Sequence, residues 1–128
     1  AAAAHMKAQK SGRIIVTSSI AGMRAETLVG YPYVATKAAL INLVRQAARE
    51  LAPHNVLVNA IAPGVFFTDI GGGRLRDPAA QEEFRRIVPL GRIADAGEIK
   101  GLALFLASPA SNYVTGTVIP IDGGVTAG

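Results

Sequence analysis

Two short stretches that stay apolar at successive positions, Ile14-Ile15-Val16 and Val56-Leu57-Val58, flank the longest helical pattern in the chain. That arrangement is the strongest constraint on the fold. A strand with one wet face alternates apolar and polar residues, whereas unbroken apolar runs suit parallel strands covered by helices on both sides. Arg13 to Ser18 and Val56 to Ala60 are therefore predicted as buried strands, with a last strand over Thr117 to Ile121. Tyr31 to Ala52 carries Leu40, Leu43, Val44, Ala47, Ala48 and Leu51 at helical spacing and is predicted as the longest helix. Shorter helices are expected over Ala1 to Gln9, from about Ala79 to Ile87, and from roughly Ala94 to Leu106. Ile20 to Gly30 and Thr68 to Pro78 read as irregular, and Gly71-Gly72-Gly73 reads as a hinge for a segment closing over substrate. Strands alternating with helices predict one α/β domain over residues 1–128, with about three parallel strands and flanking helices.

Composition narrows the classes of function. The chain has 128 residues, 50% of them hydrophobic, which is enough for one packed core. It has no cysteine, so a disulfide framework and a thiolate metal site are excluded. His5 and His54 have no acidic cluster at ligand spacing, so no metal is expected. No run approaches the ~18 consecutive apolar residues of a membrane span. The opening alanines are followed at once by His5 and Lys7 and do not read as a signal peptide. These features lead to the expectation of a cytoplasmic protein. The formal charge of +4 comes from scattered residues, with Arg74, Arg76, Arg85, Arg86 and Arg92 interleaved with Asp77, Glu82, Glu83 and Asp95. No basic block interleaved with aromatics is present, and no nucleic-acid partner is expected.

The chemistry is concentrated between Thr17 and Lys37. Thr17-Ser18-Ser19 ends the first apolar run, and Tyr33-Val34-Ala35-Thr36-Lys37 opens the long helix. Tyrosine and lysine four positions apart share one helix face, a turn from each other. Tyr31 is six positions from Lys37 and falls on a different face. A free phenol, with a pKa of about 10, is a sluggish base at neutral pH, and a neighbouring ammonium favours the phenolate. A serine hydroxyl both donates and accepts, so it can hold a carbonyl oxygen that is becoming an alkoxide. Such a set suits proton transfer at a carbonyl or alcohol, with hydride moving elsewhere. It suits serine hydrolysis poorly, because no G-x-S-x-G elbow or triad context for histidine is present.

Several segments together resemble the short-chain dehydrogenase/reductase family. Gly12 to Gly22 is similar to the family's strand leading to its catalytic serine, and Tyr33 to Ala39 to its active-site helix. Asn59-Ala60-Ile61-Ala62-Pro63-Gly64 with Thr68 resembles its loop over the nicotinamide. Tyr113-Val114-Thr115-Gly116 and Asp122-Gly123-Gly124 resemble its closing strand and tail. The resemblance implies the C-terminal half of a Rossmann-type, doubly wound parallel sheet, with NAD or NADP as cofactor. It implies Tyr33 as general acid/base and Lys37 as its partner and a ligand of the nicotinamide ribose, with Tyr33 also among the cofactor-binding residues. Ser19 would position the substrate oxygen, with Ser18 as the alternative. Pro63, Gly64, the backbone of Phe66 and the hydroxyl of Thr68 would hold the nicotinamide, with Asn59 bracing the loop.

One departure from the family matters. No G-x-G-x-x-G follows a strand anywhere in the chain, so the glycine-rich phosphate turn belongs to a part not represented here. The expected partners are therefore a missing N-terminal segment or a second copy of the chain, besides a small-molecule substrate. The implied function is transfer of hydride between a nicotinamide and a secondary alcohol or ketone of sugar-acid, polyol or 3-oxoacyl type. Arg74 and Arg76 give a slight lean to sugar acids. Two alternatives stand beside it: a cofactor-incomplete fragment acting as a binding or oligomerisation module, and epimerase or dehydratase chemistry on a related fold.

Overall fold

The computed structural model describes residues 2–70 and 72–127. Ala1, Gly71 and Gly128 lie outside the described residues, and with Gly71 one position of the expected glycine hinge. Three parallel strands, β1 (Gly12–Thr17), β2 (Val56–Pro63) and β3 (Val118–Ile121), form one sheet in that spatial order. Val16 sits opposite Ala60, and Ala60 opposite Val118. The helices are α1 (Ala2–Gln9), α2 (Tyr31–Leu51), α3 (Pro78–Ile87) and α4 (Ile99–Ala107). Among the described residues no helix is long and apolar enough to cross a membrane.

The core forms where α2 lies on the sheet. Val44, Ala48 and Leu51 pack with Val56, Val58 and Ala60, and Ile14, Val16 and Val118 close around them. These strand positions alternate, so the intervening residues point to the other face. There Arg13 donates to the side chain of Asn112, in the segment that follows α4. Ala3 and Met6 bring α1 onto the same cluster as α2.

The elements differ from the sequence expectations in particular ways. β2 runs on to Pro63 rather than ending at Ala60, because Ala60 to Pro63 pair with β3. Leu43, expected on the apolar face of α2, is 60% exposed, and Ile41 is buried instead. The helix expected from Ala94 starts only at Ile99. Ala94 bridges to Phe66, and Asp95 and Glu98 form a capping box around a 3-10 turn that delays it.

Candidate active site

The strands deliver the site at their C-terminal ends, where β1 stops and the chain must cross to α2. Ser18 and Ser19 follow β1 directly and both are buried. Their hydroxyls have different duties. Ser18 Oγ donates to the carbonyl of Lys37 at 2.8 Å, tying the strand end to α2. Ser19 Oγ accepts the amide of Ala21 at 3.2 Å, capping a single 3-10 turn, and the residue borders a large cleft. The chain can turn this close to the helix because residue 22 is glycine. A Cβ there would come within 2.6 Å of the Lys37 carbonyl carbon.

Helix α2 starts at Tyr31, with Pro32 in its first turn, where the missing N–H costs nothing. Tyr31 is 91% exposed and does not border the cleft. Tyr33 and Lys37 do border it, and Lys37 Nζ lies 5.5 Å from the centre of the Tyr33 ring. The same ammonium donates to the carbonyl of Thr17 at 3.3 Å. Lysine and serine thus hold strand and helix together reciprocally.

Across the cleft, Pro63, Gly64, Phe66 and Thr68 follow the end of β2. Their loop is pinned on both sides of Phe66: Phe67 donates to the carbonyl of Ala94 at 2.9 Å, and Ala94 to that of Val65 at 3.2 Å. Gly64 lies against the tail so closely that a Cβ would sit 2.7 Å from that of Asp122. Asp122 accepts the amides of Gly124 and Thr126, each at 2.9 Å, and the Thr126 hydroxyl at 2.7 Å. Burial works to raise the pKa of its carboxyl, but these hydrogen bonds outweigh it and leave the carboxyl below the ordinary aspartate value. The resulting turn carries Val125 into the cleft wall. Asn59 is buried beneath: its Nδ2 donates to the Val114 carbonyl at 2.8 Å and its Oδ1 accepts the Thr117 amide at 3.2 Å.

The cleft therefore gathers Ser19, Tyr33, Lys37, Pro63, Gly64, Phe66 and Thr68 around one space of about 670 Å³. That is within the usual ~300–1,000 Å³ of small-molecule sites. The donor set fits a nicotinamide with its ribose: Lys37 has N–H groups beyond the one given to Thr17, Thr68 adds a hydroxyl, and Pro63-Gly64 offers backbone without bulk. Among the described residues no group of three or more His, Cys, Asp or Glu could hold a metal ion.

A family model described as enoyl-(acyl carrier protein) reductase matches residues 1–126. The chain belongs to the short-chain dehydrogenase/reductase family. Cyclohexanol dehydrogenase of Rhodococcus sp. strain TK6 is 42% identical over 130 residues, covering 98% of this chain and 47% of that protein. The crystal structure of a gluconate 5-dehydrogenase from Burkholderia cenocepacia J2315, in complex with NADP and tartrate, superposes with a TM-score of 0.92. It is 34% identical, over 98% of this chain and 49% of that one. A 3-oxoacyl-[acyl-carrier protein] reductase of Brucella melitensis with bound NAD gives a TM-score of 0.85 at 34% identity, over 95% and 44%. The chain spans about half the length of the curated relatives it matches. In this short-chain dehydrogenase/reductase chain the three parallel strands are the counterpart of part of its relatives' Rossmann-type sheet.

Sequence reasoning missed much of the cleft. Glu26, Leu28 and Val29 from the loop after β1 line it, as do Phe84 and Ile87 of α3. Only α3 offered a signal, an aromatic and an aliphatic residue three apart on an otherwise charged helix. Arg74 and Arg76, the basis of the lean to sugar acids, are both paired, with Glu83 at 2.9 Å and with Asp69 at 2.7 Å.

Proposed function

We propose that the protein carrying this chain is an NAD(P)-linked oxidoreductase that interconverts a secondary alcohol and its ketone, with Ser19, Tyr33 and Lys37 as its catalytic residues. The observation that carries the reading is the juxtaposition at one strand end: a buried serine, a tyrosine and a lysine ammonium 5.5 Å from the tyrosine ring border one cleft. Pro63, Gly64, Phe66 and Thr68 form the opposite rim and would hold the nicotinamide, a role that the family relationship and the NADP- and NAD-bound relatives support. A bound nicotinamide supplies hydride in one direction and accepts it in the other.

The chain's own residues handle the oxygen. Ser19 donates a hydrogen bond to the carbonyl oxygen and strengthens it as negative charge builds there. Tyr33 passes its proton to that oxygen in reduction and takes it back in oxidation. The Lys37 ammonium stabilises the charge left on the phenol oxygen and orients the ribose. Asn59 ties β2 to the segment leading into β3 through its two backbone hydrogen bonds.

The test is Tyr33→Phe in the full natural gene product. Turnover is expected to fall at least 10²-fold, within the about 10²–10⁴-fold range for loss of a general acid. Quenching titrations with NADH and NADPH should still show saturable binding. Full activity in this variant would discard the assignment.

Two observations favour a second reading for the 128 residues alone: they span about half of their relatives, and α2 and α4 expose Leu43, Leu104 and Phe105. On this reading the isolated chain binds a partner segment or a second copy before it binds coenzyme. Absence of saturable NADH or NADPH binding to the isolated chain, with binding to the full gene product, would favour it.

A further inference from the structure

Away from Ser19, Tyr33, Lys37 and Thr68 the cleft wall is mostly hydrocarbon. Leu28 and Val29 line it from the loop after β1, Ile70 and Leu75 from the segment before α3, and Phe84 and Ile87 from α3 itself. The cations that border the cleft, Lys37 and Arg74, already have partners. Arg76 does not border the cleft and pairs with Asp69 at 2.7 Å. Arg74 does border it, but it pairs with Glu83 at 2.9 Å and stacks 5.4 Å above the Phe84 ring. The other charged side chain on this wall is the carboxylate of Glu26, which accepts the amide of Thr27 at 3.0 Å.

Two costs follow for a sugar acid. Its carboxylate would leave water for a mostly hydrocarbon wall, where Lys37 and Arg74 already have partners, and it would approach the like charge of Glu26. Each extra hydroxyl of a polyol that faces Leu28, Val29, Ile70, Leu75, Phe84 or Ile87 would lose its water partner without gaining one. An apolar body has neither cost and gains from leaving water. The cleft of about 670 Å³ must also hold the nicotinamide, so the body is compact.

We infer that the substrate is an uncharged secondary alcohol, or the matching ketone, on a compact hydrocarbon frame such as an alicyclic ring. The inference rests on the redox reading above for its reaction, and on the lining of the cleft for its substrate class.

The experiment uses the full natural gene product and two readouts. The first is kcat/KM for cyclohexanol, D-gluconate and sorbitol with each nicotinamide coenzyme. The second is the shift of the Ile70, Leu75 and Ile87 methyl signals on adding cyclohexanone, gluconate or sorbitol. Cyclohexanol should exceed both others by about 100-fold, the scale a shaped apolar pocket can supply, and only cyclohexanone should move the methyls. Faster turnover of gluconate or sorbitol, or methyl shifts from either at equal concentration, overturns the substrate class and leaves the redox reading intact. Methyl shifts from cyclohexanone with turnover of none of the alcohols overturns the redox reading and supports the ligand class. Silence in both readouts overturns the inference. Ile70 is 75% exposed, so Ile70→Lys should fold. It should narrow the preference for cyclohexanol over gluconate about 10-fold, and an unchanged ratio counts against the inference.

Discussion

The two walls of the cleft are held by different forces. On the wall formed by β1, α2 and β2, side chains reach backbone: Ser18 to the Lys37 carbonyl, Lys37 to the Thr17 carbonyl, Asn59 to Val114 and Thr117. On the wall formed by the segment before α3 and α3 itself, the charged contacts are exposed ion pairs, Arg76–Asp69 and Arg74–Glu83. The Ser18 and Asn59 bonds are part-buried, which shields them from water and fixes geometry, whereas exposed pairs contribute about 0–1 kcal/mol and weaken with salt. Under the proposed function the contrast amounts to a division of labour: proton chemistry on rigid elements, and selection of substrate on a wall that can change without disturbing them.

The sharpest way to break this division is to compare two adjacent serines. Ser19→Ala should lower kcat on the order of 10²-fold, the effect of removing one donor to a developing oxyanion, while the melting temperature stays nearly constant. Ser18→Ala should do the reverse, with a loss of about 1 kcal/mol of stability for the missing hydrogen bond and a modest change in rate. Equal effects in both would show that the two hydroxyls are not specialised.

Gly22→Ala tests the rigid wall through its backbone. The added Cβ would meet the Lys37 carbonyl group at 2.6–2.7 Å, so the turn or the helix must shift. A loss on the order of 2 kcal/mol is expected in denaturant melts, as for overpacking, together with reduced activity. An unchanged melt would mean that the approach of turn to helix is looser than described.

Acid tests the capping cluster ahead of α4. The side chain of Arg92 and the amide of Asp95 hydrogen-bond Glu98 and lower its pKa to about 2 from 4.5. A carboxyl with a depressed folded pKa stabilises the fold above its unfolded value and loses that contribution as pH falls through its folded one. The melting temperature should therefore decline between about pH 4.5 and about pH 2, and Glu98→Gln should flatten that slope. The smallest effect is expected from Asp69→Asn, which breaks the exposed pair with Arg76 and should change stability by less than about 1 kcal/mol. A larger loss would show that the outer wall is more firmly held than exposed ion pairs imply.

How much was legible in the sequence follows the same boundary. β1, β2 and α2 were readable because continuous apolar runs and a long periodic helix are local signals. The meeting of Ser19, Tyr33 and Lys37 was readable because a strand end and an i,i+4 pair impose it. The inward face of α2 was not, because the helix is apolar on more than one side, so spacing alone admitted Leu43 where Ile41 is buried. The late start of α4 was hidden because a long-range contact, the Ala94–Phe66 bridge, holds residues that look helical by themselves. Beyond the Phe84 and Ile87 pair of α3 the rest of the lining had no local signature: Glu26 and Leu28, from the loop after β1, join α3 only after the chain has folded.

The reciprocal hold between Ser18 and Lys37 has a consequence for how this protein fails. Sliding α2 along β1 by a single residue would break both links and misalign serine, phenol and amine together. Thermal inactivation should then track the loss of tertiary structure as one event, with no intermediate that is folded yet inert.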